Sequence, residues 1–301
     1  MSSNGTGTRQ GPLIVVDDPA DPRLELYRHL KDPAARPDLG TEPSIFVVEG
    51  KLTVERLLTS SYRIRSLLVD DHQVTASSDL VTATRARGVP VYVGSRGTVA
   101  ETVGFDLHRG VVAVAERPSP LSAGRLLADV LEIPGDPDSF PVVAILEGLN
   151  DHENIGALFR NAAAFGVAGV LLDPSSADPL YRRSIRVSVG HVLHLPFARL
   201  TPWPSGLQQA RDVGFLIAAM TPRPAVTAGL PVLHLAALKD RLSGPNRCQG
   251  LALLLGAEGR GLTPEAIAAS DVVASIPMAE GVDSLNVATA AAVAFHAVSG
   301  V

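Results

Sequence analysis

Three stretches carry polar side chains and glycines in patterns that core packing does not require. The first runs Glu147-Gly148-Leu149-Asn150-Asp151-His152-Glu153-Asn154-Ile155-Gly156-Ala157-Leu158-Phe159-Arg160. Asn154 and Arg160 fall on the opening turns of a helix, and Gly156 between them lets another backbone come close. Asn154 is either the cap of that helix or a hydrogen-bonding site residue, and Arg160 is either solvated or an anion holder. The second, Leu253-Leu254-Leu255-Gly256-Ala257-Glu258-Gly259-Arg260-Gly261-Leu262, follows an apolar run with three glycines. Such a loop bares backbone N–H and C=O groups to a small planar ligand. It is no Walker loop, because no Gly-Lys-Ser/Thr follows. Its G-x-x-G-x-G spacing is not the dinucleotide fingerprint either. The third, Ile276-Pro277-Met278-Ala279-Glu280-Gly281-Val282-Asp283-Ser284-Leu285-Asn286-Val287-Ala288, reads as a strand end, a loop and a long helix. Ser284 reads as the cap of that helix, with the amide of Asn286 free on its first turn.

Each stretch lies just past the C-terminal end of a predicted strand, where ligand sites gather in open α/β sheets. The elements that position them alternate. Strands are predicted at Val142–Leu146, Val167–Leu172, Val192–Phe197, Phe215–Ala219, Leu251–Leu255 and Val272–Ile276. Helices are predicted at Ile155–Phe165, with Gly166 as its stop, at Pro179–Val189 and at Leu285–Val298. Nearly continuous apolar strands point to a parallel sheet covered on both faces. Upstream, Ile45–Val48, Ser66–Val69, Val91–Val93 and Val111–Ala115 read as strands, and Lys51–Leu58 and Asp79–Arg87 as helices. Pro118 and Pro120 interrupt the pattern. A short helix over Leu121–Leu131 and the loop Pro134-Gly135-Asp136-Pro137-Asp138 follow, which sets a domain boundary there.

Composition narrows the function further. With 46% hydrophobic residues, 301 residues suffice for two ordinary domains. No apolar run approaches the ~20 residues of a membrane span, and the Gly/Ser/Thr-rich start has no apolar stretch that would make it a secretory signal. The single cysteine, Cys248, allows neither an intrachain disulfide nor a cysteine metal cage. His191 and His194 lack carboxylate or cysteine partners at ligand spacing, so no metal is expected. Trp203 and Phe215 read as core or interface. The net charge is −5, and both halves, divided at Phe140, hold slightly more acids than bases. A polyanionic partner must therefore be met by local clusters. Arg182, Arg183 and Arg186 form one such cluster on a short helix.

Taken in order, Asn154/Gly156/Arg160, Gly256/Glu258/Gly259/Gly261 and Ile276/Pro277/Met278 with Ser284/Leu285/Asn286/Val287/Ala288 resemble the SpoU (TrmH-type) branch of the SPOUT methyltransferases. The resemblance covers about 140–301. A softer one, carried by Phe46-Val47-Val48-Glu49-Gly50 and His108-Arg109-Gly110-Val111-Val112-Ala113, is to the family's L30e-like substrate-binding domain.

The resemblance implies an α/β chain. A flexible tail (1–20) precedes an L30e-like RNA-binding domain (21–118), a linker (119–140) and a parallel-sheet SPOUT domain closed by a trefoil knot (141–301). It implies transfer of a methyl group from S-adenosylmethionine to a ribose 2′-hydroxyl of RNA, 23S ribosomal rather than transfer RNA, by a cytoplasmic homodimer with no metal. Gly256, Gly261, Ile276, Met278 and Leu285 are implied to hold the cofactor, and Arg182, Arg183 and Arg186 the RNA. Arg160, Asn154, Glu258, Ser284 and Asn286 are implied to form the catalytic set. The family assigns proton removal to the residue matching Arg160. A guanidinium, with a pKa above ~12, is rarely a base, so the alternative is that Arg160 grips phosphate and hydroxyl while another group takes the proton. A non-catalytic RNA-binding member is the competing reading. An oxidoreductase would need the dinucleotide fingerprint that is missing.

Overall fold

The computed structural model describes residues 10–28, 30, 44–105, 107, 110–133, 140–222, 229–238, 242 and 248–299. The loop at 134–138 and the pair His108 and Arg109 lie outside them. Contacts divide the chain into two compact units, Met1–Ser119 with Leu180–His194, and Pro120–Pro179 with Leu195–Val301.

Among the described residues, the first unit is built on a five-stranded mixed sheet. Its elements are β1 (Leu13–Val15), β2 (Ile45–Glu49), α1 (Lys51–Thr59), β3 (Ile64–Asp70), α2 (Ser78–Ala86), β4 (Val91–Gly94), α3 (Arg96–Val103) and β5 (Val111–Glu116). The strand order is β1-β4-β3-β5-β2. β4 pairs in parallel with β1 and β3, and β5 runs antiparallel to β3 and β2. Two elements escaped the sequence reading. The apolar triplet Leu13-Ile14-Val15, placed in a flexible tail, is an edge strand in register with Val91–Val93. Helix α3 starts where the Ser95 hydroxyl accepts from Thr98 N at 3.1 Å. Its two-turn length leaves little apolar periodicity to read. The Tyr27 hydroxyl and Ser66 Oγ meet at 2.7 Å in the core, and burial pushes the Tyr27 phenol up.

The basic segment belongs to this unit. It forms the short helix α6 (Arg182–Val187) and the 3-10 turn His191–Leu193, where a strand over Val192–Phe197 was predicted. His194 Nε2 lies 2.9 Å from the Arg56 carbonyl, so the segment is tied down by side-chain contacts in place of a sheet ladder.

Among the described residues, the second unit carries seven strands, all parallel. Its elements are α4 (Ala123–Leu131), β6 (Val142–Glu147), α5 (His152–Ala164), β7 (Gly169–Leu172), β8 (Phe197–Arg199), α7 (Gln208–Asp212), β9 (Phe215–Met220), β10 (Val232–His234), β11 (Gly250–Gly256), α8 (Pro264–Ala268), β12 (Val272–Ser275) and α9 (Val287–Val298). The order is β10-β12-β9-β11-β6-β7-β8. β6, β7 and β9 are buried along their whole length, as a sheet with both faces covered requires. Residues 119–140, expected as a linker, contain α4, whose Leu126, Leu127 and Val130 are buried in this unit's core. Val142, Phe215, Gly250 and Val272 open strands whose C-terminal ends all point to one edge of the sheet. β6 and β11 are direct neighbours there.

Candidate active site

At that edge, Glu147 ends β6 with only 5% of its surface exposed. Its Oε1 accepts from Trp203 Nε1 and from Thr263 Oγ1, both at 2.7 Å, and its Oε2 accepts from Thr263 N at 2.9 Å. One carboxylate therefore ties the end of β6 to the loops that follow β8 and β11. Asp173, just past β7, is 4% exposed. It accepts from Ser176 N at 2.8 Å and Gly148 N at 3.1 Å, and from the hydroxyls of Ser175 and Ser176, each at 2.5 Å. Burial alone would raise its pKa. The two serine hydroxyls, then the backbone N–H groups, outweigh that and hold the carboxyl below the usual carboxylate range. Gly148, at φ +70, makes the turn that brings its N–H onto Asp173.

Above these carboxylates, three chain segments meet on one side chain. Asn286 Oδ1 accepts from Ala288 N at 3.0 Å and Thr289 N at 3.2 Å, so it caps α9. Its Nδ2 donates to Asn154 Oδ1 at 2.9 Å and to Glu258 Oε1 at 2.5 Å. Three expectations are corrected here. Ser284 is not the helix cap: it is exposed in the preceding loop, and the helix starts two residues later than predicted. The amide of Asn286 is not free. Asn154 does not cap α5, since Asp151 does, through its Oδ1 and Glu153 N at 2.7 Å. Each short polar side chain competed for the cap, and the contacts made by the other two decided which one took it.

The glycine loop after β11 folds back on itself. Ala257 bridges Gly261. A Cβ on Gly256 would lie 2.4 Å from the Gly261 carbonyl carbon, so no larger residue fits. Glu258, Gly259, Arg260 and Gly261 are exposed, as are Ser284 and Leu285, whereas Ile276 and Met278 are half-buried.

A cavity of about 870 Å³ opens over the ends of β11, β6, β7 and β8. Of the residues singled out in the sequence, Asn154, Glu258 and Gly261 line it, and Asn286 reaches it through its hydrogen bonds. Arg160 does not line it. Six residues after Asn154, its direction is turned by roughly 120° around the helix. It is exposed and makes no hydrogen bond or ion pair among the described residues. Gly256, Ile276, Met278, Leu285 and Ser284 also lie outside the cavity lining.

The three arginines of α6 do not behave alike. Arg182 pairs with Glu49 at 3.3 Å and stacks 4.5 Å above the Phe105 ring, whereas Arg183 and Arg186 are exposed. Glu147, Asp173, Thr263, Arg260 and Trp203 line the cavity and were not singled out as site residues. Only Glu147, an acid ending an otherwise apolar run, carried a local signal. Asp70, Asp71 and His72, in the first unit, bring three potential metal-ligand atoms within 4.8 Å of one another. Both carboxylates there accept from His72 N, as in an ordinary turn.

A family model described as the SpoU rRNA Methylase family matches residues 141–296. Another, described as RNA 2'-O ribose methyltransferase substrate binding, matches residues 47–121. A Mycobacterium bovis protein named as an uncharacterized tRNA/rRNA methyltransferase is 42% identical over 281 residues, spanning 93% of this chain and 90% of that one. The 23S rRNA (guanosine-2'-O-)-methyltransferase RlmB of Shewanella oneidensis is 30% identical over 248 residues, 81% of this chain and 92% of its own. Among solved structures, the AdoMet-bound rRNA methyltransferase from Sinorhizobium meliloti shares the fold, with a TM-score of 0.71 at 24% identity over 95% of this chain and 97% of that one. The match over the whole of the second unit's sheet, together with the similarity along nearly the full chain, places this protein in the SpoU rRNA methylase family.

Proposed function

We propose that this protein methylates a ribose 2′-hydroxyl of RNA, ribosomal RNA first among the targets, using S-adenosylmethionine and working as a homodimer. The observation that carries the reading is the single amide of Asn286 held by both Asn154 and Glu258. It brings the three motif segments to one point at the sheet edge.

The residues on the cofactor side fit such a group. Gly256 and Gly261 are packed backbone to backbone, so the loop has room for a ligand to lie close against its main chain. Ile276, Met278 and Leu285 offer unpaired apolar surface for an adenosine in a bent pose, in the knotted segment that the family resemblance implies. When bound, S-adenosylmethionine would supply an electrophilic sulfonium methyl, its sulfur keeping the electron pair of the broken sulfur–carbon bond as a neutral thioether. The chain's own part is to hold the hydroxyl oxygen in line with that methyl, which alone supplies much of the rate. Arg160, which lies outside the cavity of its own subunit, donates hydrogen bonds to the phosphate and hydroxyl oxygen of an acceptor seated in the other subunit of the homodimer. The carboxylate of Glu258, oriented by Asn286, takes the proton as the oxygen–carbon bond forms. Ser284 and Asn154 position the ribose. Residues 21–118 serve as the L30e-like substrate-binding domain, and the exposed Arg183 and Arg186 meet RNA phosphates.

Two measurements test the reading together. Calorimetry detects S-adenosylmethionine binding, and mapping of ribose methylation in RNA from cells with and without the protein reveals a lost site. Binding without any lost site supports the non-catalytic reading instead. A lost site in transfer RNA moves the target but keeps the chemistry.

A further inference from the structure

We propose that the cavity over β11, β6, β7 and β8 receives an unpaired base of the acceptor RNA, and that Trp203 is the surface on which that base stacks. The proposal rests on the methyl-transfer reading above.

The sheet order separates two ligand regions. Ile276 and Met278 follow β12, which lies two strands from β11 on the side away from β6. The cavity opens over β11, β6, β7 and β8; Gly261 and Val287 touch it at its β11 side, and neither Ile276 nor Met278 lines it. The Asn154–Asn286–Glu258 cluster stands between, where β11 and β6 adjoin. A cofactor seated over Ile276 and Met278, with its methyl end at this cluster, leaves the larger part of the cavity to the acceptor.

Its size and lining select the part of the acceptor. A volume of about 870 Å³ suits a nucleoside. Among the described residues, Glu147, Asp151, Asp173 and Glu258 line it against the single cation Arg260. Such a lining disfavours a phosphate inside and leaves the uncharged base as the group to bury. Trp203 suits the contact. It is half-buried, packed against the core cluster that includes Leu200 and Leu207, and it lines the cavity. Its Nε1 is locked to the buried Glu147 at 2.7 Å, which fixes the ring plane before any ligand arrives. RNA-binding proteins receive unstacked bases of single-stranded segments on aromatic rings.

Trp203 is the only tryptophan in the chain, so indole fluorescence reports on this one position at the cavity wall. The full-length protein is titrated with S-adenosylhomocysteine and, separately, with a short mixed-sequence single-stranded RNA. Quenching by RNA, retained when S-adenosylhomocysteine is already bound, supports the proposal. Quenching by S-adenosylhomocysteine with no further change on RNA addition assigns the cavity to the cofactor and overturns it. An indole that responds to neither, in protein that methylates RNA, overturns it while leaving the methyl-transfer reading intact. Protein that binds no S-adenosylmethionine in calorimetry fails that reading instead. In kinetics, Trp203→Ala raises KM for RNA by roughly 5- to 150-fold with the cofactor Kd unchanged. Trp203→Phe, which keeps a ring without the bond to Glu147, recovers part of that loss. An unchanged KM in both variants overturns the proposal.

Discussion

Glu147 and Asp173 lie beneath the cavity at 5% and 4% exposure, with their oxygens taken up by donors from neighbouring loops. Glu258 and Arg160 stand in solvent, the first with one oxygen on Asn286 and the second with no partner among the described residues. All four are charged residues of one unit, but they are not available for the same work. A buried carboxylate satisfied by fixed donors shapes the loops and has little capacity left for a ligand. An exposed group with open valences costs little to keep and can meet substrate. Charge near a cavity therefore does not identify the chemistry. Unused hydrogen-bonding capacity does.

That contrast can be broken most sharply at Arg160. Arg160→Ala lowers methylation by about 10³-fold, at the upper end of what one lost transition-state donor costs, while calorimetry shows unchanged S-adenosylmethionine binding. Arg160→Lys does not restore activity, because an ammonium lacks the planar fork. Activity at the wild-type level in Arg160→Ala would remove the distinction between the two groups. Next, Glu258→Gln lowers the methylation rate by about 10²-fold, with a thermal midpoint close to that of the parent protein. A matching loss of stability would show that Glu258 belongs with the buried pair.

The buried pair answers in stability. Glu147→Ala strands the Trp203 and Thr263 donors and costs about 2 kcal/mol, read by urea denaturation. The smallest effect is at Asp173. Its pKa is lowered in the folded chain, so its ionised form contributes stability above the ordinary carboxylate pKa. That contribution is lost as the pH falls through the lowered value. Asp173→Asn is less stable near neutrality and has a flatter acid limb in a stability-against-pH curve. Parallel acid limbs for the two proteins would contradict the assigned role.

Much of the sheet was legible because burial on both faces writes long apolar runs. β6, β9, β11 and β12 fell where Val142–Leu146, Phe215–Ala219, Leu251–Leu255 and Val272–Ile276 were predicted, within a residue or so at the ends. The short edge strands were not legible. β1, β8 and β10 have three residues each, too few to show a period, and they exist because a neighbour offers an open ladder. Helix starts were shifted for a related reason. Asn154 and Ser284 are good caps by type, but Asp151 and Asn286 hold those places.

What the sequence by itself determined was the inventory: which strands are buried, which loops follow them, and which side chains those loops carry. These are local properties, written in residue type and spacing of a few positions. Only the tertiary structure decided which polar groups occupy one another. Asn286 meets Asn154 across 132 residues and Glu147 meets Thr263 across 116. Hydrogen-bond capacity is used up by whichever donor the fold brings within about 3 Å, and no local pattern encodes that encounter.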